Sequence, residues 1–505
     1  MSMTRYKVPN RDPAAIVSLY NELKSVPSLA MSRTLVERVN TSGDSTGTPF
    51  YHFRWKLHFL ADLVVYPTSQ EHIRQVLLLA NKYKVCVTPR GSGSCYYGSG
   101  LPTNGGIVVD MKRMHEFSVD PGAMTVSTQP GIVFQHLMTE LAQKGYELGC
   151  FPTSAYTSTI GGWIGTGGIA GVGTLKNGSF EDQVVSIKVV TPIGKVTRYT
   201  DPSQFGHLFG TNGIFGIVVE VTMKIYPLAE TEVALCFGFA DRGDMLQCVD
   251  ALAKSGNLFF VRFSDLRHEF RCTGQSQYNY YIFMILKGLA GFVYESRNSC
   301  TAIAEQFHGT FLGEEYSSIL KEDYLKHEMT IKRGTPTLML QQIYADLAHA
   351  PAIIDRFETL TRKARVNHAY YGIINKNNMV RLVLFTPTDN ASWLHFLSSK
   401  AALHKVVKYA YRHGGRVYTY GLQNTLYFNH FEHEWNVFIK TIKMKEDPAY
   451  ILNPLKVVAT KMSYLRIDLM FELAYFYRLL AIRFGTAAII LSPELPEQKG
   501  GRSLA

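Results

Sequence analysis

The chain has 505 residues, 46% of them hydrophobic and 18% charged. That is material for two or three folded domains and excludes bulk disorder. A formal net charge of +11 suits an anionic partner (a phosphorylated cofactor or an acidic membrane surface) or a soluble enzyme with a basic surface. No compact Lys/Arg block or nucleic-acid-binding motif is present, so nucleic acid is not expected as a partner.

The first stretch, "MSMTRYKVPNRDPAA", has no apolar core and does not read as a secretory signal. Residues 1–50 read as an irregular, partly helical lead-in. "LADLVVYP" reads as a strand, and "TSQEHIRQVLLLANKYK" as a helix with Thr68 and Glu71 spaced as a capping box. Ile73, Val76, Leu77 and Ala80 form its apolar stripe. "VCVTP" is a second strand of this β-α-β unit and opens directly into "PRGSGSCYYGSG". "GIVVDM" and "MTVSTQ" are further strands, and "GIVFQHLMTELAQKG" is an amphipathic helix closed by Gly145. After the glycine-rich "TSTIGGWIGTGGIAGVGTLKNG", the strands "VVSIKVV" and "KVTRY" form a hairpin through "TPIG". In "GTNGIFGIVVEVTMKIYP", Val219, Val221, Met223 and Ile225 alternate toward one face of a strand. Further on, "YYIFMILKG" is too short to span a bilayer and reads as a buried strand. Near the end, Leu465, Leu469, Leu473 and Phe476 follow helical spacing. Arg466, Arg478 and Arg483 lie in the same segment, so it suits either packing on its own domain or peripheral contact with an anionic membrane or redox partner.

Three glycine-rich turns, each leaving or entering a strand, point to one kind of ligand. Backbone N–H groups at such turns approach a ligand without an intervening Cβ, and successive inward N–H groups favour an anion such as a pyrophosphate. None of the turns is GxGxxG opening a helix or GxxxxGK[ST], so neither a Rossmann site nor a P-loop is expected.

"VVYPTSQEHIRQVLLLANKYKVCVTPRGSGS", "TIGGWIGTGG" and "GTNGIFGIVVEVTMKIYP" resemble, in order and spacing, the FAD-binding domain of the vanillyl-alcohol-oxidase (PCMH-type) superfamily. The stretch 157–196 is similar to the alkyl-dihydroxyacetone-phosphate synthase, glycolate oxidase and D-lactate dehydrogenase branch. The resemblance implies an α+β protein: two α/β subdomains clasping FAD over 51–229, a cap with an antiparallel sheet over 230–457, and a helical extension over 458–505. It also implies that Pro89, Arg90, Gly91, Ser92, Gly93, Ser94 and Cys95 wrap the pyrophosphate. Thr153, Ser154, Thr159, Gly161, Gly162, Thr166, Gly167, Gly168 and Ile169 would line the diphosphate and flavin. Asn212, Gly213, Gly216, Ile217 and Val218 would touch the adenine side and ring edge. "DPAYILNP" resembles the family's closing segment and places Asn453 near the flavin ring, although Leu455 stands where the family has glycine. Members with covalent flavin often carry a histidine in the first loop; Ser94 at that place implies noncovalent FAD.

The cap departs from the family's subgroups. Where hydroxyacid dehydrogenases carry metal-binding histidine segments, this chain has "HAYYGIINKNNMVRL" and "GGRVYTYGLQN", with Tyr420 in a histidine's place. No metal site is therefore expected. The seven cysteines are scattered, odd in number and never spaced as CxxC, which argues against a disulfide framework, a zinc site or an iron–sulfur cluster and suits a reducing, cytoplasmic compartment. "HAY" matches the synthases' HxY spacing through His368 and Tyr370.

The preferred reading is an FAD-dependent dehydrogenase acting on a small hydroxy acid or alcohol, with His368, Tyr370 and Tyr420 as candidate bases and Arg333 as a candidate anion clamp. Two alternatives stay open: a flavoenzyme like the alkyl-phosphate synthases, and a flavin-binding subunit without substrate chemistry of its own. The electron acceptor is open among oxygen, a quinone, a cytochrome and an iron–sulfur partner.

Overall fold

Leu63–Tyr66 folds as a strand and Gln70–Tyr83 as the helix that follows it, with Ile73, Val76, Leu77 and Ala80 fully buried. The helix starts one residue later than its expected capping box. Ser69 is the N-cap and accepts from the His72 amide at 3.3 Å. Thr68 instead donates its amide to the His72 ring at 3.2 Å, and Glu71 engages Arg74 and Gln75. The short Ser69 side chain can fold back on the first turn, so it takes the role expected of Thr68. The structure is a computed structural model that describes residues 8–47, 58–332, 335, 337–389, 392–458 and 463–484.

The chain divides into two compact units. The first takes its described residues from Met1–Glu230, Asn375–Asn377 and Val417–Asp468. It holds a four-stranded sheet in the order Ala30–Ser32, Leu63–Tyr66, Ile107–Asp110, Val87–Arg90, whose last three strands are parallel. Its second sheet is antiparallel, in the order Phe117–Asp120, Thr125–Thr128, Ile217–Pro227, Val184–Val190, Val196–Tyr199. Tyr146–Leu148 also pairs with Ile217–Pro227. Along that long strand Val219, Val221, Met223 and Ile225 are buried and alternate with more open positions, the period-2 pattern of a strand with one buried face. Thr191 and Lys195 close the hairpin at "TPIG", and Gly145, at φ +80°, ends the helix Phe134–Gln143.

The linear boundary at 457 does not follow the contacts. Ile451 and Leu452 lie in the same apolar core as Leu63, Val65 and Ile107. The Val87 amide donates to Ile451 O at 2.9 Å, and the Asn453 amide to Val87 O at 2.7 Å. Backbone pairing with the sheet beside the first glycine loop thus draws Val417–Asp468 into the first unit.

The second unit comprises the described residues of Thr231–Ile374, Asn378–Arg416 and Leu469–Ala505. Its sheet runs from Thr310–Phe311 through Thr231–Phe239, Tyr280–Gly288, Phe260–Asp265, Ala369–Ile374 and Met379–Thr388 to Thr337–Asp346, antiparallel at every pairing along this path. "YYIFMILKG" is its strand Tyr280–Gly288, between two others, with Tyr281 to Leu286 buried.

Tyr464–Arg483 is helical, as its spacing predicts. The stripe Leu465, Leu469, Leu473 and Phe476 is exposed, Leu465 to 71%. The buried face is Phe471, Tyr475 and Arg478. Tyr475 Oη donates to Leu360 O at 2.8 Å and Arg478 Nε to Ala364 O at 2.9 Å, while Glu472 bridges Lys405 and Lys408. The described residues from Leu469 to Phe484 are therefore packed into the second unit through a face the spacing did not single out, and Arg478 serves that packing. Among the described residues no helix is long and apolar enough to cross a membrane.

Candidate FAD-binding site

The first loop leaves the strand Val87–Arg90 and packs at once against the second glycine-rich segment. A Cβ on Gly91 would overlap the Thr159 side chain, so the two loops meet only because residue 91 is glycine. Ser92 Oγ donates to Thr157 O, a second bridge between them. Gly93, at φ +71°, turns the loop around the Arg90 guanidinium, which donates to Gly43 O. Arg90 is thus a buried scaffold of the loop.

Thr159 caps the short helix Ile160–Thr166, accepting from the Gly162 amide at 3.2 Å. Gly162 is exposed and Gly161, Gly165, Thr166 and Gly167 are half-buried, leaving a solvent-facing strip with almost no side chains. Thr153 and Gly168 are buried, and Ile169 is half-buried beyond the strip. Ser154 Oγ lies 2.7 Å from Ser158 Oγ within the turn.

The third turn is fastened to the second. Gly210 and Asn212 donate their amides to Ile164 O and Gly165 O at 2.9 and 2.8 Å. A Cβ on Gly213 would come within 3.3 Å of Pro89. Gly216, Ile217 and Val218 run from there into the long strand. Asn453 closes the group, its Nδ2 donating to Asn212 O at 2.6 Å. The four segments expected to hold FAD are therefore gathered in one unit. Asn212 Oδ1 is buried there with no hydrogen-bond partner among the described residues. An orphan acceptor beside a glycine strip fits a donor-bearing dinucleotide, since a buried acceptor without a partner costs about 1–3 kcal/mol. FAD is not contained in the structure, but these residues fit it.

Leu455 takes φ +63°, a left-handed conformation that suits the glycine its place implied, and it packs with Leu101 and Leu422. Sequence reasoning missed the charged groups beneath the loops. Lys456 Nζ donates to Ser99 O, Leu101 O and Asn453 Oδ1 at 2.6–2.7 Å, and burial pulls its pKa down to about 7. Burial pushes the Asp44 carboxyl up to about 6 and the Cys95 thiol up to about 11, so Cys95 is a neutral part of the loop. The only sequence signal for Lys456 was its place just after "ILNPL".

The catalytic candidates are dispersed. Tyr420 lies in the FAD-binding unit, its Oη donating to Glu432 Oε2 at 2.7 Å. Its neighbour Thr419 is tied to the glycine strip through Oγ1 to Thr166 O at 3.0 Å. His368 and Tyr370 belong to the second unit. Burial and then the Arg267 charge lower His368 to about 3, and Arg267 Nη1 lies 3.3 Å from its Nε2. Tyr370 is fully buried, burial raises its hydroxyl well above the usual range, and the hydroxyl has no partner among the described residues. Arg333 lies outside the described residues.

Residues 61–200 match the FAD binding domain family. A 179-residue stretch is 34% identical to alkyldihydroxyacetonephosphate synthase of Dictyostelium discoideum, covering 34% of this chain and 29% of that protein. Another, of 187 residues, is 32% identical to glycolate oxidase subunit GlcD of Bacillus subtilis, covering 35% of this chain and 39% of that protein. The mitochondrial D-lactate dehydrogenase [cytochrome] of Arabidopsis thaliana is 28% identical over 252 residues, covering 46% and 43%. The matched region spans less than half the length of each of these relatives. Among solved structures, an alkyldihydroxyacetonephosphate synthase aligns over 90% of this chain and 86% of its own, with TM-score 0.69 and 19% identity. p-Cresol methylhydroxylase aligns over 88% and 96%, with TM-score 0.76 and 15% identity, so the likeness to both extends through the fold. Residues 61–200 are thus an FAD-binding domain, FAD is the cofactor, and the fold is shared with alkyldihydroxyacetonephosphate synthase and p-cresol methylhydroxylase.

Proposed function

We propose that the protein is an FAD-dependent dehydrogenase that oxidises a small hydroxy acid or alcohol, with FAD held noncovalently. The observation that carries this reading is the assembly of all four FAD segments, Asn453 included, in one unit together with a tyrosine–carboxylate pair. Bound FAD supplies a hydride acceptor. Tyr420 serves as the base: it passes its hydroxyl proton to Glu432 Oε2, the acceptor it already donates to, as it takes one from the substrate hydroxyl. Thr419, fixed to Thr166 O, sets the position of this pair relative to the glycine strip. A serine at position 94 offers no histidine tether, which supports noncovalent FAD. The names of two relatives, a glycolate oxidase subunit and a D-lactate dehydrogenase, support the hydroxy-acid class.

The test is anaerobic mixing of the purified yellow protein with a panel of hydroxy acids, alcohols and phosphorylated ketones. A member of the first two classes should bleach the flavin, and Tyr420→Phe should slow that bleaching by about 10²–10⁴-fold with flavin occupancy unchanged. Bleaching by none of them would favour the flavin-binding subunit. Acid or heat should release intact FAD; flavin that stays on the denatured chain would rule out noncovalent attachment.

A further inference from the structure

Under the antiparallel sheet of the second unit, His268, Cys272 and His327 bring three ligand-type atoms within 4.8 Å of one another. His268 and Cys272 are four apart on the helix Leu266–Thr273 and so share a face. His327 arrives from a separate helix, His327–Thr330, 59 residues further along the chain. The sequence pointed away from a zinc site, since no cysteines are spaced as CxxC and residues 368–382 and 414–424 lack the family's histidine pairs; ligands 4 and 59 residues apart on two helices leave neither signal.

His268 Nε2 lies 2.9 Å from His327 Nε2, and Cys272 Sγ 3.9 Å from His268 Nε2 and 3.9 Å from His327 Nδ1. Tetrahedral Zn–N and Zn–S bonds put two nitrogens roughly 3.3 Å apart and a nitrogen and sulfur roughly 3.6 Å apart. The two contacts at His268 Nε2 lie within a few tenths of an ångström of that geometry. Cys272 Sγ faces Nδ1 of His327, so a side-chain rotation of Cys272 or His327, whose ligand atoms lie within 4.8 Å, completes it.

The carboxylates behind the rings complete the pattern. Asp323 Oδ2 is 2.8 Å from His327 Nδ1, and Thr330 donates to the other Asp323 oxygen. A proton on Nδ1 leaves the His327 Nε2 lone pair facing His268. Without a cation, His268 must turn an Nε2 proton toward that lone pair, and its buried Nδ1 has no partner among the described residues. With a cation bound at both Nε2 atoms, the His268 proton moves to Nδ1, toward Glu269 Oε2 at 3.9 Å. His327 then has a hydrogen-bonded carboxylate behind its distal nitrogen, the arrangement that orients metal-bound imidazoles, and His268 has one at 3.9 Å that a small shift would bring into hydrogen-bond reach.

Arg262 Nη2 lies 3.5 Å from Glu269 Oε2, and its Nη1 lies 3.1 Å from His327 Nδ1 and 3.5 Å from its Nε2. Asp323, Glu269 and a Cys272 thiolate supply three negative charges against a dication, Arg262 and the nearby Arg271. Two imidazoles and a thiolate, with carboxylates in supporting places, select Zn²⁺ over Mg²⁺ or Ca²⁺.

We propose that His268, Cys272 and His327 form a buried zinc-class metal site, with Asp323 and Glu269 positioning the two histidines. The proposal is independent of the FAD reading. The test uses the full chain. Elemental analysis after gel filtration should find about one Zn²⁺ per chain. Co²⁺ added to chelator-treated protein should bind at the same stoichiometry, with tetrahedral d–d bands and a thiolate-to-cobalt charge-transfer band. Cys272→Ser should abolish the charge-transfer band. Asp323→Asn should keep that band but weaken Co²⁺ binding by about 10–100-fold. Wild-type protein that takes up neither Zn²⁺ nor Co²⁺ stoichiometrically would overturn the proposal, whether or not the variants fold. A charge-transfer band that survives Cys272→Ser would overturn it too, and would leave the cluster as an ion-free network with Arg262 as its cation.

Discussion

In the FAD-binding unit, the groups facing the candidate site are mostly backbone amides and carbonyls at glycine-rich turns. In the second unit the polar groups are ionisable side chains buried beneath a sheet: Arg262, His268, Glu269, Asp323 and His327 lie within a few ångströms of one another. Backbone recognition has no pKa and depends on the absence of side chains, so it is vulnerable to added atoms. A buried ionic network tolerates few changes of charge and answers to protons and cations. The two units should therefore fail differently.

The largest effect should follow a methyl-bearing residue on the glycine strip. A Cβ at Gly162 would lie 2.9 Å from Thr159 Oγ1, the atom that caps the helix there. Gly162→Val should lower the flavin-to-protein ratio at least tenfold while the far-ultraviolet circular dichroism stays native. Full flavin occupancy in a folded variant would show that this stretch is only a turn, and the contrast between units would lose its first half.

An acid titration probes the second half. The His368 pKa is lowered to about 3 in the folded state, against roughly 6.5 in an unfolded chain. As pH falls below about 6.5 the unfolded state takes up a proton that the folded state refuses, so stability is lost progressively down to about pH 3. Two pH units below the unfolded value that loss is roughly 3 kcal/mol. His368→Gln, which keeps an acceptor for Arg267, should lose correspondingly less between pH 6.5 and 4.5 in urea melts. Equal acid slopes for the two proteins would mean that His368 is hydrated or freely protonated.

The smallest effect sharpens the comparison inside the FAD-binding unit. Leu455→Gly removes a left-handed strain of about 1–2 kcal/mol. It also deletes a side chain packed with Leu101 and Leu422, a loss of about 2–5 kcal/mol for a well-packed leucine. Partial relaxation of this small cluster should leave a net destabilisation of about 1 kcal/mol with flavin retained. A stabilised variant would show that the backbone strain outweighs the packing.

Much of the first unit was legible because its signals are local. Glycine spacing, the alternation of Val219 to Ile225 and the stripe Ile73 to Ala80 are each set within one stretch of chain, and each marks the backbone conformation or buried face found there. Cap placement was off by one residue, since Thr68 and Ser69 compete for the same amides and only their geometry decides. The helix after Tyr464 was placed, but its packed face was not: it is apolar nearly all round, so spacing could not say which side meets protein.

Local signals in the chain were enough for the FAD-binding fold, because glycine and strand periodicity act over neighbouring residues. The return of the chain to the first unit at Val417, the place of Lys456 and Asp44 beneath the loops, and the meeting of His327 with His268 and Cys272 came from the folded molecule alone. Those meetings are set by strand order and helix packing between residues far apart in the chain. Such distances leave no periodic trace in the residues that end up in contact.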